Sequence, residues 1–298
     1  MVMITDRLYK LRHWIGELGF DKNPSGYSVV EGTPTLEAPV SQACTQTQMG
    51  SEIYAQHCAK LKEKPWLHRK QWEFVYIVQC LSLHDMLKPG RSGIGFGVGG
   101  EPLPALFAKM GVRVLGTDLD PEHAEGLGWI ETNQHAASKN AMNNRGICSP
   151  EEFERLVSFR SMDMNAIAPD TAGKFDFCWS ACALEHLGSI DKGLQFIENS
   201  IACLRPGGLA VHTTEYNCSS NTTTLDNTST VLFRRRDFEK LGKYLARKGH
   251  KVSFNFGTGD QPADQHIDVP PYTQEPHLKL QIAEWTTTSF GIMVRKAD

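Results

Sequence analysis

The stretch that decides the fold is SGIGFGVGGEPLPALFAKMGVRVLGTDLD, residues 92–120. It reads as a short apolar strand, a glycine turn, a helix and a second strand. Pro102 stands where a first helical turn tolerates proline, and Gly111 ends the helix. The second strand, Arg113–Thr117, runs into the acidic residues Asp118 and Asp120. Gly95, Gly97 and Gly99 fall on the strand-to-helix bend, where missing side chains let backbone approach a ligand and permit positive φ. Gly95-x-Gly97-x-x-Gly100 also fits the dinucleotide fingerprint, and Asp118 follows Gly99 by 19 residues. A carboxylate there can accept hydrogen bonds from both ribose hydroxyls of an adenosine. Turn and acid together predict an adenosine-containing cofactor.

Outward from this unit, strands keep alternating with helices. VSFRSMD is a strand ending at Asp163. KFDFCWS is another, leading into ACALEHLGS and a helix from Ile190 to Leu204. RPGG reads as a turn before the strand LAVHTTEYN. RRDFEKLGKYLARKGH is helical and closed by Gly249, and KVSFNF and TTTSFGIMVRK are the last strands. This order implies an α/β fold with a mostly parallel sheet covered on both faces. Upstream, apolar residues at three- and four-residue spacing make residues 52–87 helical, stopped by Pro89-Gly90. Residues 1–50 are the least regular, with a short helix near Asp6–Gly19 and then an extended segment draped over the body.

Composition narrows the function classes. Among 298 residues, 31 basic and 34 acidic side chains give a net charge of −3, which excludes attachment to nucleic acid by bulk charge. The longest apolar run, Phe74 to Leu83, is interrupted by Gln79 and Ser82 and falls far short of a membrane span. No signal peptide is visible, and eight cysteines without a C-x-x-C pair read as reduced thiols. The expectation is a cytoplasmic protein.

The cofactor is decided downstream of the glycine turn. The fourth strand is followed by Ser180-Ala-Cys-Ala-Leu-Glu185-His186-Leu, and the fifth is introduced by Leu204-Arg-Pro-Gly-Gly208. With G-x-G-x-G and Asp118, these resemble the class I S-adenosylmethionine-dependent methyltransferases over about residues 70–215. The resemblance implies a Rossmann-like, seven-stranded, mostly parallel sheet with an antiparallel last strand, here with an N-terminal helical extension. It implies S-adenosyl-L-methionine as cofactor, with Gly95, Gly97 and Gly99 beneath its methionine and ribose portion. It also implies Asp118 on the ribose hydroxyls, Leu119 on the adenine, Asp163 and Met164 at the adenine edge, and Ser180 near the methionine. Many members carry an acidic residue two places before the first glycine. Here that place is Gly93, and Glu101 is the substitute, its alternative being a carboxylate favoured at a helix N-terminus.

Methyl transfer to oxygen needs positioning and a base near neutral pKa, which histidine provides. His186 is the first candidate, with His212 and Glu215 at the end of strand five next. Asp264, His266, Asp268 and His277 lack metal-ligand spacing, so no metal is assigned. Val269-Pro270-Pro271-Tyr272 stands in the wrong place for an amino-methylating motif and reads as a rigid loop, and Arg234–Arg236 as a solvated cluster. Residues 1–70 are expected to form an extension or cap on a methyltransferase domain at 71–298, with an insertion at 257–285 recognising the acceptor. The expected reaction is methylation of a small molecule or glycan at oxygen, with no nucleic-acid or membrane partner. Homodimerisation stays open. The alternatives are a catalytically silent cofactor-binding regulator and a nicotinamide-dependent oxidoreductase.

Overall fold

A computed structural model describes residues 23–119 and 139–298. The expected helix near Asp6–Gly19 and the acid Asp120 lie outside these residues.

The unit read at 92–120 forms as expected. β3 (Ser92–Phe96) leads through the glycine turn into a helix at Leu103–Lys109 and then β4 (Arg113–Asp118), which pairs parallel with β3. Parallel strands continue outward on both sides. β5 (Val157–Ser161) pairs with β4, β6 (Phe175–Ala181) with the other edge of β3, and β7 (Leu204–Asn217) with β6. The last strand, β11 (Trp285–Arg295), runs antiparallel along β7 from Thr287↔Asn217 to Arg295↔Leu209.

These strands are interior on both faces, so side chains alternate between two cores. Phe177, Trp179, Leu209 and Val211 join one cluster, and Cys178, Ala210, Ile94 and Phe96 the other. The first core is covered by the Leu103–Lys109 helix and by the long helix Arg69–Leu83, whose Trp72, Val75 and Tyr76 are fully buried. Phe107 meets Phe177 and Trp179 edge to face at 5.5 and 5.0 Å. Helices Ile190–Ala202 and Arg235–Arg247 cover the second core with Phe196, Ile197, Phe238 and Leu241.

The sheet departs from the expected seven strands by having 11 among the described residues. The N-terminal region, expected to be helical and draped, contributes β1 (Tyr27–Val29) and β2 (Ser41–Ala43) to the sheet itself. Lys251, just before the strand β8 (Val252–Asn255), bridges antiparallel to Arg295 of β11. Further along, β2 lies between them, antiparallel to β11 at Phe290↔Ala43 and parallel to β8 at Ser41↔Phe254. β1 then forms the edge against β8. Buried Gln42 and Gln48 anchor this wedge, Gln42 donating to Gln48 at 2.7 Å and Trp72 Nε1 donating to Gln48 at 2.9 Å. Short polar strands without clear alternation gave no periodic signal.

Two further differences are local. The helical region expected across 52–87 divides into Glu52–Lys60 and Arg69–Leu83, with the Lys64-Pro65 segment between. RPGG does not separate helix from strand but bulges within β7, whose partner on β6 jumps from Leu204 at Phe175 to Leu209 at Phe177. The 257–285 insertion adds β9 (Ile267–Asp268) and β10 (Lys279–Ile282), which pair parallel with each other, while β10 runs antiparallel to the start of β11. The insertion lies at the end of the sheet where the parallel strands finish, and the bulge at the opposite end.

Candidate active site

The carboxyl ends of β3, β4, β6 and β7 gather most of the expected site residues at one edge of the sheet, the usual ligand-binding edge of an open α/β sheet. The donor half is built from backbone. Gly97 has φ +60°, and a Cβ there would lie 2.8 Å from the Ala183 Cβ and 3.4 Å from the Met164 sulfur. No side chain fits, so the turn presents bare backbone. Asp118 closes the cradle from β4, its Oδ2 accepting from Gly99 N at 3.0 Å and its Oδ1 from Leu119 N at 2.9 Å. A carboxylate fixed beside a glycine turn suits a ribose diol. Met162 N donates to Asp118 O at 2.7 Å, which brings β5's end and buried Met164 against the turn. Asp163 is exposed and caps the following 3₁₀ turn through Asn165 N at 2.8 Å.

Three expected contributors have other first duties. Gly95 is interior to β3, and a Cβ there would collide with the Trp179 indole at 2.4 Å, so its absence makes room for a core side chain. The Ser180 hydroxyl turns inward to His212 Nδ1 at 2.9 Å. Glu101 is buried and accepts from Trp179 Nε1 at 2.5 Å. Burial pushes its carboxyl up to about 8, against the lowering effect of the indole bond and with the help of Asp118 and Glu73. No salt bridge joins Glu101 to a cation among the described residues, so it is a carboxyl that a bound ammonium would ionise.

The acceptor half is built from side chains that converge from distant segments. Arg69, at the start of the long helix, forms an ion pair with Glu215 of β7 and lies 3.6 Å from Glu73. Its Nη1 also donates to Ser289 Oγ of β11 at 3.1 Å. Glu73 Oε1 accepts from Ser289 at 2.5 Å and from the Cys182 thiol at 3.1 Å. Thr287 donates to Glu215 at 2.9 Å, and Thr214 to Glu185 at 3.0 Å. Cys182 holds φ at +45°, a left-handed conformation costly outside glycine, just past the end of β6. Cys182, Glu185 and Glu215 bring ligand atoms within 4.8 Å of one another. Arg69 is nevertheless the cation paired with Glu215, and its Nη1 stands 3.9 Å from the Cys182 sulfur.

The candidate bases separate in this setting. His212 is fully buried, with Nε2 3.0 Å from Ser200 Oγ and Nδ1 2.9 Å from Ser180 Oγ. Burial lowers its pKa to about 3. A neutral ring with both nitrogens engaged orients Ser180 and is not an open base, which corrects the expectation for this residue. Burial would raise the Glu215 carboxyl, but Arg69, with Lys70 and the Thr287 hydroxyl, more than reverses this and holds it low. Glu215 is therefore a weak base whose role here is to partner Arg69. His186, on the 3₁₀ turn Leu184–His186, donates from Nδ1 to the Ser229 carbonyl at 2.9 Å. That bond puts the ring proton on Nδ1 and makes Nε2, 3.8 Å from Glu185 Oε1, the basic nitrogen.

Arg69, Glu73, Cys182 and Ser289 carry no local motif, and their meeting is not encoded by spacing. The one signal was the charge on an otherwise apolar helix: Arg69 and Glu73, four residues apart, fall among Trp72, Val75 and Tyr76. Of the four residues set aside as a metal group, Asp264 accepts from Gln46 N at 2.7 Å and His266 is exposed. Asp268 and His277 do meet, at 2.6 Å.

Comparison with known proteins agrees with the class that this fold and turn define. Residues 93–212 match the family described as a methyltransferase domain. No curated protein matches the sequence. A Galdieria sulphuraria structure, thought to be a sarcosine dimethylglycine methyltransferase, is 16% identical with a TM-score of 0.47, over 77% of this chain and 84% of that one. Haemonchus contortus phosphoethanolamine N-methyltransferase 2, solved with S-adenosyl-L-methionine, is 17% identical with a TM-score of 0.41. That match covers 67% of this chain and 41% of the other. Residues 93–212 thus carry a methyltransferase domain, an enzyme domain that uses S-adenosyl-L-methionine.

Proposed function

We propose that this methyltransferase methylates an oxygen of a small polar molecule or glycan, with His186 as the base. The observation that carries the reading is the His186 tautomer: its Nδ1 proton is committed to the Ser229 carbonyl, so the lone pair of this partly exposed ring sits on Nε2. Gly97, Gly99, Asp118, Leu119 and Met164 would hold the cofactor at the backbone cradle, and Glu101 its ammonium. Bound S-adenosylmethionine supplies a methyl group already activated on sulfur. An acceptor hydroxyl would pass its proton to His186 Nε2, 3.8 Å from the Glu185 carboxylate, as its oxygen took the methyl and left S-adenosylhomocysteine behind.

A net charge of −3 and a buried, carboxylate-rich acceptor end favour a compact, uncharged acceptor over a nucleic acid. Residues 1–70 and 257–285 are proposed to shape acceptor binding. Eight free cysteines, seven of them buried, fit a reducing cytoplasmic setting, and no described helix is long and apolar enough to cross a membrane.

Calorimetry with S-adenosylmethionine against NADH tests the cofactor, with heat expected only for the former. Incubation with labelled cofactor and hydroxylated small molecules and glycans should give a product heavier by one methylene. His186→Ala is expected to lower kcat by about 10²- to 10⁴-fold with cofactor affinity kept. Full turnover in that variant would remove His186 as the base. Cofactor binding without any product would favour a silent regulator.

A further inference from the structure

The 257–285 insertion contributes a second oriented histidine at the acceptor end of the sheet. Asp268, at the end of β9, is 2% exposed, and its carboxylate accepts from Thr273 N at 3.0 and 3.1 Å. It also accepts from His277 Nδ1 at 2.6 Å. That bond fixes the His277 proton on Nδ1 and turns Nε2 into a hydrogen-bond acceptor, the arrangement by which a carboxylate aligns an imidazole.

The ring is held by more than Asp268. His277 stacks on His68 at 4.5 Å, His68 stacks on Trp66 at 4.3 Å, and Tyr272 meets the His277 ring edge-on at 5.7 Å. The backbone fastens this wall to the acceptor cluster. His277 N donates to Leu67 O at 2.7 Å, and Arg69 N donates to His277 O at 3.0 Å. Arg69 is the residue whose guanidinium reaches Glu215 and Ser289. Topology gives the same placement, because β10 pairs with the half of β11 that lies along the carboxyl end of β7. The His277 side chain keeps 12% of its surface exposed. An oriented imidazole in an aromatic wall exceeds what holding a loop requires.

We propose that His277, aligned by Asp268, is an acceptor-binding residue whose Nε2 accepts a hydrogen bond from a hydroxyl of a neutral, ring-shaped acceptor lodged against the Trp66–His68–His277–Tyr272 wall. The proposal rests on the methyltransferase reading above and specifies its acceptor. An aromatic wall offers a face to a sugar or phenol ring, and an aligned nitrogen selects one hydroxyl on it. A deprotonated anionic acceptor would lose the donated bond at Nε2 and meet the surrounding carboxylates.

The test uses the full chain with two probes, methyl α-D-glucopyranoside and catechol. Calorimetry with S-adenosylmethionine comes first, and absence of binding would overturn the parent reading alone. With binding established, methyl transfer to at least one probe is expected. His277→Asn keeps a donor near the Nδ1 position for Asp268 but lacks Nε2. It should raise the probe KM by about tenfold, with kcat and melting temperature near wild type. His277→Gln, which places an amide near the Nε2 position, should recover part of that loss. Transfer to neither probe by a cofactor-binding enzyme would overturn the acceptor class. An unchanged KM in His277→Asn, or losses in that variant fully explained by a lower melting temperature, would overturn the role of His277.

Discussion

The two halves of the active site are made in different ways. The donor half is a continuous piece of chain: β3, the turn with Gly97 and Gly99, and Asp118 only 19 residues further on. Its binding surface is backbone, and its main requirement is the absence of side chains. The acceptor half joins Arg69 and Glu73 from one helix, Cys182 and Glu185 after β6, Glu215 from β7 and Ser289 from β11. Its surface is side chain, and its main requirement is that buried charges find their partners. A backbone cradle is set by local steric rules that any sequence must obey, whereas a side-chain box is set by long-range packing that many sequences can satisfy differently.

The contrast predicts that the halves fail differently. The largest effect is expected in the acceptor half. Arg69→Ala leaves Glu215 without its guanidinium in a buried setting and should cost about 3–5 kcal/mol of stability by urea denaturation. A loss below about 1 kcal/mol would mean that water reaches the cluster and the pair is a surface one. In the donor half the loss should fall on binding. Asp118→Ala removes the acceptor that Gly99 N and Leu119 N share, and should weaken S-adenosylmethionine by about 10- to 100-fold by calorimetry. Unchanged affinity would place the ribose elsewhere.

A third effect, read as a pH slope, belongs to Glu101, where the halves meet. Burial raises its carboxyl to about 8, so the native state keeps a proton that the unfolded chain releases from about 4.5 upward. The stability it contributes is therefore complete at low pH and declines as pH rises towards 8. Glu101→Gln cannot release that proton and should flatten this decline in melting temperature across pH 5–8. Identical slopes in both proteins would mean that the native carboxyl titrates as it does in the unfolded chain.

The same division explains what could be read from the chain. The β3–turn–β4 unit, Asp118 and the parallel order follow from glycine positions, strand patterning and short connections, which are all local quantities, whereas the antiparallel last strand is implied only by the family resemblance. Glu101 and His186 are found where their segments lead. By contrast, His212 at a strand's carboxyl end looks like a base, and only the inward direction of its ring, towards Ser180 and Ser200, makes it structural. A strand's period of two tells which face a residue takes, but not which face is sealed. Asp268 and His277 are nine residues apart across a proline-rich loop, and nothing in that spacing announces a hydrogen bond. β2 is three residues long and polar, too short for any pattern to show.

That short strand also governs the order in which the molecule can be completed. Residues 41–43 are made well before Phe254–Asn255 and Phe290–Gly291, the segments that bound the slot they fill. Until then the nascent chain holds a strand with nowhere to dock, and β8 and β11 have nothing to fill the gap between them. Loop closure over some 200–250 residues is slow. The parallel core around the glycine turn can assemble during synthesis, but the sheet as a whole is finished only after β11 has been made.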